Sequence, residues 1–207
     1  MAADVALLND AVRLGSAWLR LYRWDPPTLS IGRNQPAIFN GMPMVHRPTG
    51  GQAVWHEHEV TYAVAAPINV FGSLRDAYCE IHERLARALR SLGVEAVLAD
   101  RQTVRPSDRP ASCFASSVGG EILVDGRKLV GSAQVRRGDA FLQHGSILLD
   151  ATQPSSFNGG TTLATVLGRP VSFTEVADAI INTWRDFRPS GRQTVRPSDV
   201  IASLAHR

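Results

Sequence analysis

The stretch Ile122-Leu123-Val124-Asp125-Gly126-Arg127-Lys128-Leu129-Val130-Gly131-Ser132-Ala133-Gln134 sets short apolar runs on either side of Asp125-Gly126. Asp-Gly supplies the positive φ angles of a two-residue turn, so the segment predicts a β-hairpin. Lys128 then stands near the start of the returning strand. Gly131-Ser132-Ala133 follows with little side-chain bulk, which lets a ligand or another chain approach the backbone closely. A lone lysine on a hairpin is ordinarily a solvated surface charge. Its meaning depends on what the neighbouring segments bring.

Downstream, Arg136-Arg137-Gly138-Asp139 turns the chain into a strand from Ala140 to Leu149, which carries Gln143-His144-Gly145-Ser146. Upstream, a polar loop from Asp100 to Ser112 leads into Cys113-Phe114. Glu59 to Ala66 alternates Val60, Tyr62 and Val64 with Thr61, Ala63 and Ala65, the pattern of a half-buried strand. Trp18 to Trp24 and Thr28 to Gly32 are further strands. Val45 and Ala53-Val54-Trp55 flank Pro48-Thr49-Gly50-Gly51, which reads as a tight hairpin turn with Arg47 beside it. Adjacent glycines free backbone N–H groups to face a carbonyl or phosphate, and Arg47 is placed to hold an anion.

Three helices complete the reading. Asp4 to Leu14 places Val5, Leu8, Ala11 and Val12 on one side. Ser73 and Asp76 form a capping box for a helix to Leu92, with an apolar face from Leu74 through Ile81, Leu85 and Leu89. Cys79 and His82 fall off that face and read as solvated. Ser172 and Glu175 cap a third helix lined by Val176, Ala177, Ile180, Ile181, Trp184 and Phe187. Clusters of strands between helices predict a single α+β domain over residues 1–187, its mixed, largely antiparallel β-sheet flanked by helices, with a polar C-terminal tail over 188–207. The segment RQTVRPSD occurs at both 101–108 and 192–199, and two copies do not make a repeat architecture.

The 207 residues are 44% hydrophobic and 20% charged, the balance of a globular domain. No apolar run approaches the ~18 residues that span a membrane. The acidic start Met1-Ala2-Ala3-Asp4 lacks the features of a secretory signal, so a cytoplasmic location with no membrane partner is expected. Two cysteines, Cys79 and Cys113, do not make a disulfide scaffold. The net charge of +3 comes without a dense Lys/Arg run, which disfavours nucleic acid as a partner. His56 and His58 lack a third ligand nearby, so no metal is expected.

Three segments together resemble the lipoate–protein ligase A and octanoyltransferase family, which shares its catalytic fold with biotin–protein ligases. They are HRPTGGQAVWHEHEVTY (46–62), GRKLVGSAQ (126–134) and LQHGSILLD (142–150), and WDPPTLSIGRNQP (24–36) also fits. The resemblance covers roughly residues 1–185 and implies a class II synthetase-like catalytic fold. It implies Lys128 as the family's single lysine. Arg47, Thr49, Gly50, Gly51, Gln52, Ala53, His56, Gly131, Ser132, Ala133, His144 and Gly145 are implied as residues that line the acyl group. Cys113-Phe114 ahead of the lysine hairpin, followed by Glu121-x-x-Val124-Asp125-Gly126, is similar to the branch that carries octanoate on a cysteine. In that branch the donor is octanoyl-acyl carrier protein. The acceptors are lipoyl domains of 2-oxoacid dehydrogenase complexes or the glycine cleavage H protein, and no cofactor is required.

His46 stands where the family usually has a second arginine, and no C-terminal accessory domain of the kind that ligases use is expected. ATP-dependent ligation through an acyl-adenylate, with ATP and Mg, is the alternative reading, and a non-catalytic acyl- or lipoyl-domain-binding protein is a third. On the first reading Cys113 is the nucleophile. Lys128 favours its thiolate and holds the developing oxyanion. His144 and His56 both remain candidates to receive the acceptor's proton.

Overall fold

The computed structural model describes residues 1–37, 41–99, 120–150 and 160–185. Cys113, both RQTVRPSD segments, Phe187 and the C-terminal tail lie outside them. The helices are α1 (Ala2–Leu14), α2 (Leu74–Ser91), α3 (Leu163–Leu167) and α4 (Phe173–Arg185). The strands are β1 (Trp18–Tyr22), β2 (Thr28–Ile31), β3 (Met44–His46), β4 (Val54–His56) and β5 (Glu59–Pro67). They continue with β6 (Val97–Leu98), β7 (Ile122–Val124), β8 (Arg127–Arg137) and β9 (Ala140–Leu148).

Asp125 and Gly126 take φ of 50° and 71°, so the Asp-Gly turn closes the β7–β8 hairpin as its chemistry demands. A six-stranded antiparallel sheet runs in the order β1-β5-β9-β8-β7-β6. One face packs under α2 and α4, with Tyr62, Ile81, Leu85, Phe141 and Val176 in one cluster. Each fully buried leucine there contributes about 2 kcal/mol through apolar burial. The other face lies under α1, where Leu8 and Ala11 meet Ala63, Ala65 and Leu142. The alternation along β5 is therefore real, but the strand is buried along its whole length rather than on one side.

Two expectations about the helices change. On α1 the buried line is Asp4, Leu8 and Ala11, which leaves Val12 exposed. On α2, Ser73 caps Asp76 N at 3.1 Å as expected, but His82 and Arg84 are buried as well. Arg84 reaches the Thr183 carbonyl of α4, and His82 points to the sheet. The short α3, capped by Thr162, had no signal in the helical spacing.

The Pro48–Gly51 turn is not a hairpin. β3 pairs parallel to β2 and β4 pairs antiparallel to it, giving a separate sheet in the order β3-β2-β4. The segment 47–53 therefore crosses the end of β2 instead of folding β3 onto β4. Gly32 permits the crossing, because a Cβ there would lie 2.1 Å from the Gly51 carbonyl oxygen. Among the described residues, no helix is long and apolar enough to cross a membrane.

This contact separates two glycines in one turn region. Gly32→Ala is expected to cost about 1–3 kcal/mol through forced backbone movement. Gly50→Ala, with open space around its Cβ, is expected to stay within about 0.5 kcal/mol. Equilibrium urea unfolding of both variants checks the pair.

Candidate functional site

The two sheets meet around an opening of about 430 Å3, part of which is open solvent. Of the expected residues, Arg47, Gly51, His56, Gly131, Ser132, Ala133, His144 and Gly145 line it. Tyr22, Trp24 and Val54 add an apolar wall. Small residues make the room: a Cβ on Gly145 would lie 2.3 Å from the Gly131 carbonyl oxygen and 2.7 Å from Ser132 Oγ.

Of the other expected residues, Thr49, Gly50, Gln52 and Ala53 belong to the segment beside Arg47, and Lys128 does not line the opening. Arg47 is buried, and its guanidinium donates to Ser30 O and Oγ at 2.9 and 2.8 Å and to the carbonyls of Gly50 and Gln52 at 3.2 and 2.8 Å. It thus braces the two-glycine turn. Gln52 accepts from Gln35 Nε2 at 2.9 Å, and Gln35 in turn accepts from the Gly32 amide. Ala53 packs with Leu29 and Ile31. Thr49 is buried and bonds His144 Nε2 at 2.8 Å.

Each histidine of the opening carries a carboxylate on its far nitrogen. His144 Nδ1 lies 3.3 Å from Asp4 Oδ2. Asp4, fully buried on α1, is also held by Arg20 at 2.6 Å and by the Tyr22 hydroxyl at 2.8 Å. Burial acts to raise the Asp4 pKa, but the hydrogen bond and charge of His144, with the Tyr22 hydroxyl, overcome it and leave the carboxyl below its ordinary value. Burial lowers the His144 pKa, against the upward pull of Asp4. His56 Nδ1 meets Glu59 Oε1 at 2.6 Å, its Nε2 meets Ser30 Oγ at 2.5 Å, and Trp24 stacks on its ring at 4.5 Å. Ser146 also donates to Glu59, at 2.9 Å.

Lys128 is not the solvated charge that a hairpin lysine usually is. It is 4% exposed, with Nζ 2.6 Å from Glu121 Oε1 on an equally buried carboxylate. Their mutual attraction is what makes burying either charge tolerable. Lys128 is close enough to His82 to act on its charge. His82 Nε2 lies 2.7 Å from Ser132 Oγ, which faces the opening, and Ser132 lies 2.5 Å from the Tyr62 hydroxyl. Burial pushes the Tyr62 pKa up to about 12. Burial, with the Lys128 charge second, lowers that of His82 to about 3.

Asp4, Glu59, Tyr62 and His82 were not assigned to the site from the sequence. The signal for His82 was available, since it lies one turn from Tyr78 and beside Ile81. Asp4 shares its helix stripe with Leu8 and Ala11. Among the described residues, no group of three or more His, Cys, Asp or Glu could hold a metal ion. Cys79 is half-buried on α2, and Cys113 is outside the described residues.

Residues 1–185 match the family described as the lipoyl protein ligase A/B catalytic domain. The chain belongs to that family. It is 41% identical over 162 residues to Octanoyltransferase LipM of Carboxydothermus hydrogenoformans, covering 72% of this chain and 60% of the relative. It is 45% identical over 157 residues to Octanoyltransferase LipM of Kyrpidia tusciae, covering 67% and 57%. The matches thus span about 60% of the length of these curated relatives.

In fold, the domain resembles a lipoate-protein ligase A bound with ATP, at TM-score 0.69 and 22% identity over 96% of this chain and 83% of that one. A bi-partite lipoate protein ligase from Thermoplasma acidophilum, solved in a study of the ligase and its E2 lipoyl domain, gives TM-score 0.60 at 20% identity, covering 97% and 83%. The α+β architecture expected from the motif order is therefore the family's fold.

The buried neutral His82 has a consequence for stability. Its pKa is about 3 in the folded chain and 6.5 in the unfolded one, so unfolding takes up a proton between these values. The His82 contribution is complete above pH 6.5 and is lost as the pH falls towards 3. Urea midpoints measured from pH 7 down to pH 4 should fall, and His82→Gln should fall less steeply.

Proposed function

We propose that this chain is an acyltransferase of protein lipoylation. It moves an octanoyl group from octanoyl-acyl carrier protein, through a thioester on Cys113, to a lysine of a lipoyl domain. The acceptor class is the lipoyl domains of 2-oxoacid dehydrogenase complexes or the glycine cleavage H protein. The observation that carries this reading is the 41% and 45% identity to two curated octanoyltransferases. The apolar wall of Tyr22, Trp24 and Val54 along the opening supports it, since an eight-carbon chain needs such a wall.

On this reading the Cys113 thiolate attacks the donor carbonyl. A bond from sulfur to the acyl carbon forms, and the carrier-protein thiol departs with a proton. The Lys128 ammonium, paired with Glu121 at 2.6 Å, favours the thiolate and draws the carbonyl oxygen as negative charge develops on it. Backbone N–H groups at Gly50-Gly51 assist. The acceptor amine then attacks. Its nitrogen bonds the acyl carbon, the carbon–sulfur bond breaks, and the proton shed by nitrogen ends on the cysteine sulfur. His144 and His56, each backed by a carboxylate, are the candidates to carry that proton in transit. The acyl group arrives activated as a thioester, so the reaction requires no ATP.

Incubation with octanoyl-acyl carrier protein, or with octanoate and ATP, in the presence of an apo lipoyl domain tests the reading by intact mass. An octanoyl adduct on Cys113 and on the lipoyl domain is expected from the carrier-protein donor alone. Lys128→Ala should slow transfer by about 100-fold, the scale of losing one oxyanion donor. Full activity in Cys113→Ala would sink the thioester step. A requirement for ATP would establish the ligase reaction instead, and binding without modification would leave a non-catalytic partner of lipoyl domains.

A further inference from the structure

Two carboxylates just outside the lining of the opening decide what that lining presents. Asp4 on α1 and Glu59 on β5 are 0% and 2% exposed. Six polar side chains that line the opening direct their hydrogen bonds to them. The Tyr22 hydroxyl donates to Asp4 Oδ2 at 2.8 Å, and His144 Nδ1 meets the same oxygen at 3.3 Å. Glu59 Oε1 meets His56 Nδ1 at 2.6 Å and accepts from Ser146 Oγ at 2.9 Å and from the Thr61 hydroxyl. Trp24 joins this set through Thr61, to which its Nε1 donates at 2.9 Å.

The far ends of the two histidines are closed as well. His56 Nε2 lies 2.5 Å from Ser30 Oγ, and His144 Nε2 lies 2.8 Å from Thr49 Oγ1. Both hydroxyls are fully buried and outside the lining. Each ring therefore has both nitrogens engaged within the protein, and a proton passing through it first breaks one of these bonds. What the six side chains leave for a ligand is ring face, ring C–H and aliphatic carbon. On the α2 side of the sheet, by contrast, the bonds run from Gln134 through Gln143 and Tyr62 to Ser132 and His82, with no carboxylate among them.

We propose that Asp4 and Glu59 determine acyl specificity: by drawing the donors of the lining inward, they leave an opening that takes an unsubstituted hydrocarbon chain and rejects one that carries a keto or hydroxyl group. They are positioning residues, since each acts through side chains that line the opening. The physical reason is desolvation. A keto oxygen that enters the opening gives up its water and finds the neighbouring donors already committed. A carboxylate suits this task, because it accepts several hydrogen bonds and offers none back. An apolar residue in its place would leave the same hydroxyls and imidazole N–H without an acceptor, and these would turn to a polar group in the opening. The proposal rests on the reading of the opening as the acyl site and adds to it the class of chain admitted.

The test sets octanoyl against 6-oxooctanoyl, two chains that differ by one carbonyl. Both are offered together as carrier-protein thioesters with an apo lipoyl domain, and the intact mass of that domain gives the ratio of the two kcat/KM values. The wild-type protein should favour octanoyl by about 100-fold. Glu59→Met removes the acceptor of three lining donors and should lower the ratio by about tenfold or more, through a faster 6-oxooctanoyl reaction. Glu59→Gln keeps an acceptor oxygen and should hold the ratio within about threefold of the wild type. Asp4→Asn keeps an acceptor for one of its two lining donors and should lower the ratio by about threefold. A general weakening of the fold slows both chains alike and leaves the ratio in place. Calorimetric titration with the two free acids repeats the comparison without a transfer step. A wild-type ratio near one, or a ratio unchanged in both Glu59→Met and Asp4→Asn, would overturn the proposal; should Glu59→Met not fold, the wild type and Asp4→Asn decide it. A protein that binds octanoate selectively but transfers only with ATP would overturn the thioester step and uphold the role of the two carboxylates.

Discussion

A central sheet covered on both faces shields the polar side chains that point into its layers from bulk solvent. β5 and β9 lie between the α2–α4 layer and α1, and this one constraint organises the site. Glu59, Thr61, Gln143, His144 and Ser146 are all buried on these two strands. An unpaired buried polar group costs several kcal/mol, so each of these residues is tied to a protein partner. His56 is fixed by Glu59, His144 by Asp4, and Lys128 by Glu121. The site's rotamers therefore follow from the layering of the fold.

Much of that layering was legible in the chain. The Asp125-Gly126 turn, the Ser73 cap and the alternation along β5 are local signals, and local chemistry decides them. The burial of Lys128 was not legible, because its carboxylate partner and its cover belong to other segments. The same holds for Asp4, whose reason to be buried lies on β1 and β9. The error at Pro48–Gly51 is different in kind. Two strands flanking a glycine turn usually pair with each other. Here β2 stands between them, and only the close approach at Gly32, far from the turn in the local pattern, records it.

The polar chemistry is divided between the two faces of the sheet. Towards α1 stand the carboxylate-backed histidines His56 and His144. Towards α2 stands the chain from Gln134 to His82, whose His82 is held neutral. Gly131, Ser132 and Gly145 lie where the two sets meet at the opening. Small residues at that point let ligand atoms reach both sets. A longer side chain at Gly145 would close the gap between β8 and β9 on the opening side.

The turn braced by Arg47 gives this site one wall that is complete before any ligand arrives. Four donated hydrogen bonds from one guanidinium and the Gly32–Gly51 backbone contact fix its position. The conformational entropy of that segment was given up when the chain folded. A ligand meeting this wall has no backbone left to order there, so more of its contact energy is available to hold it.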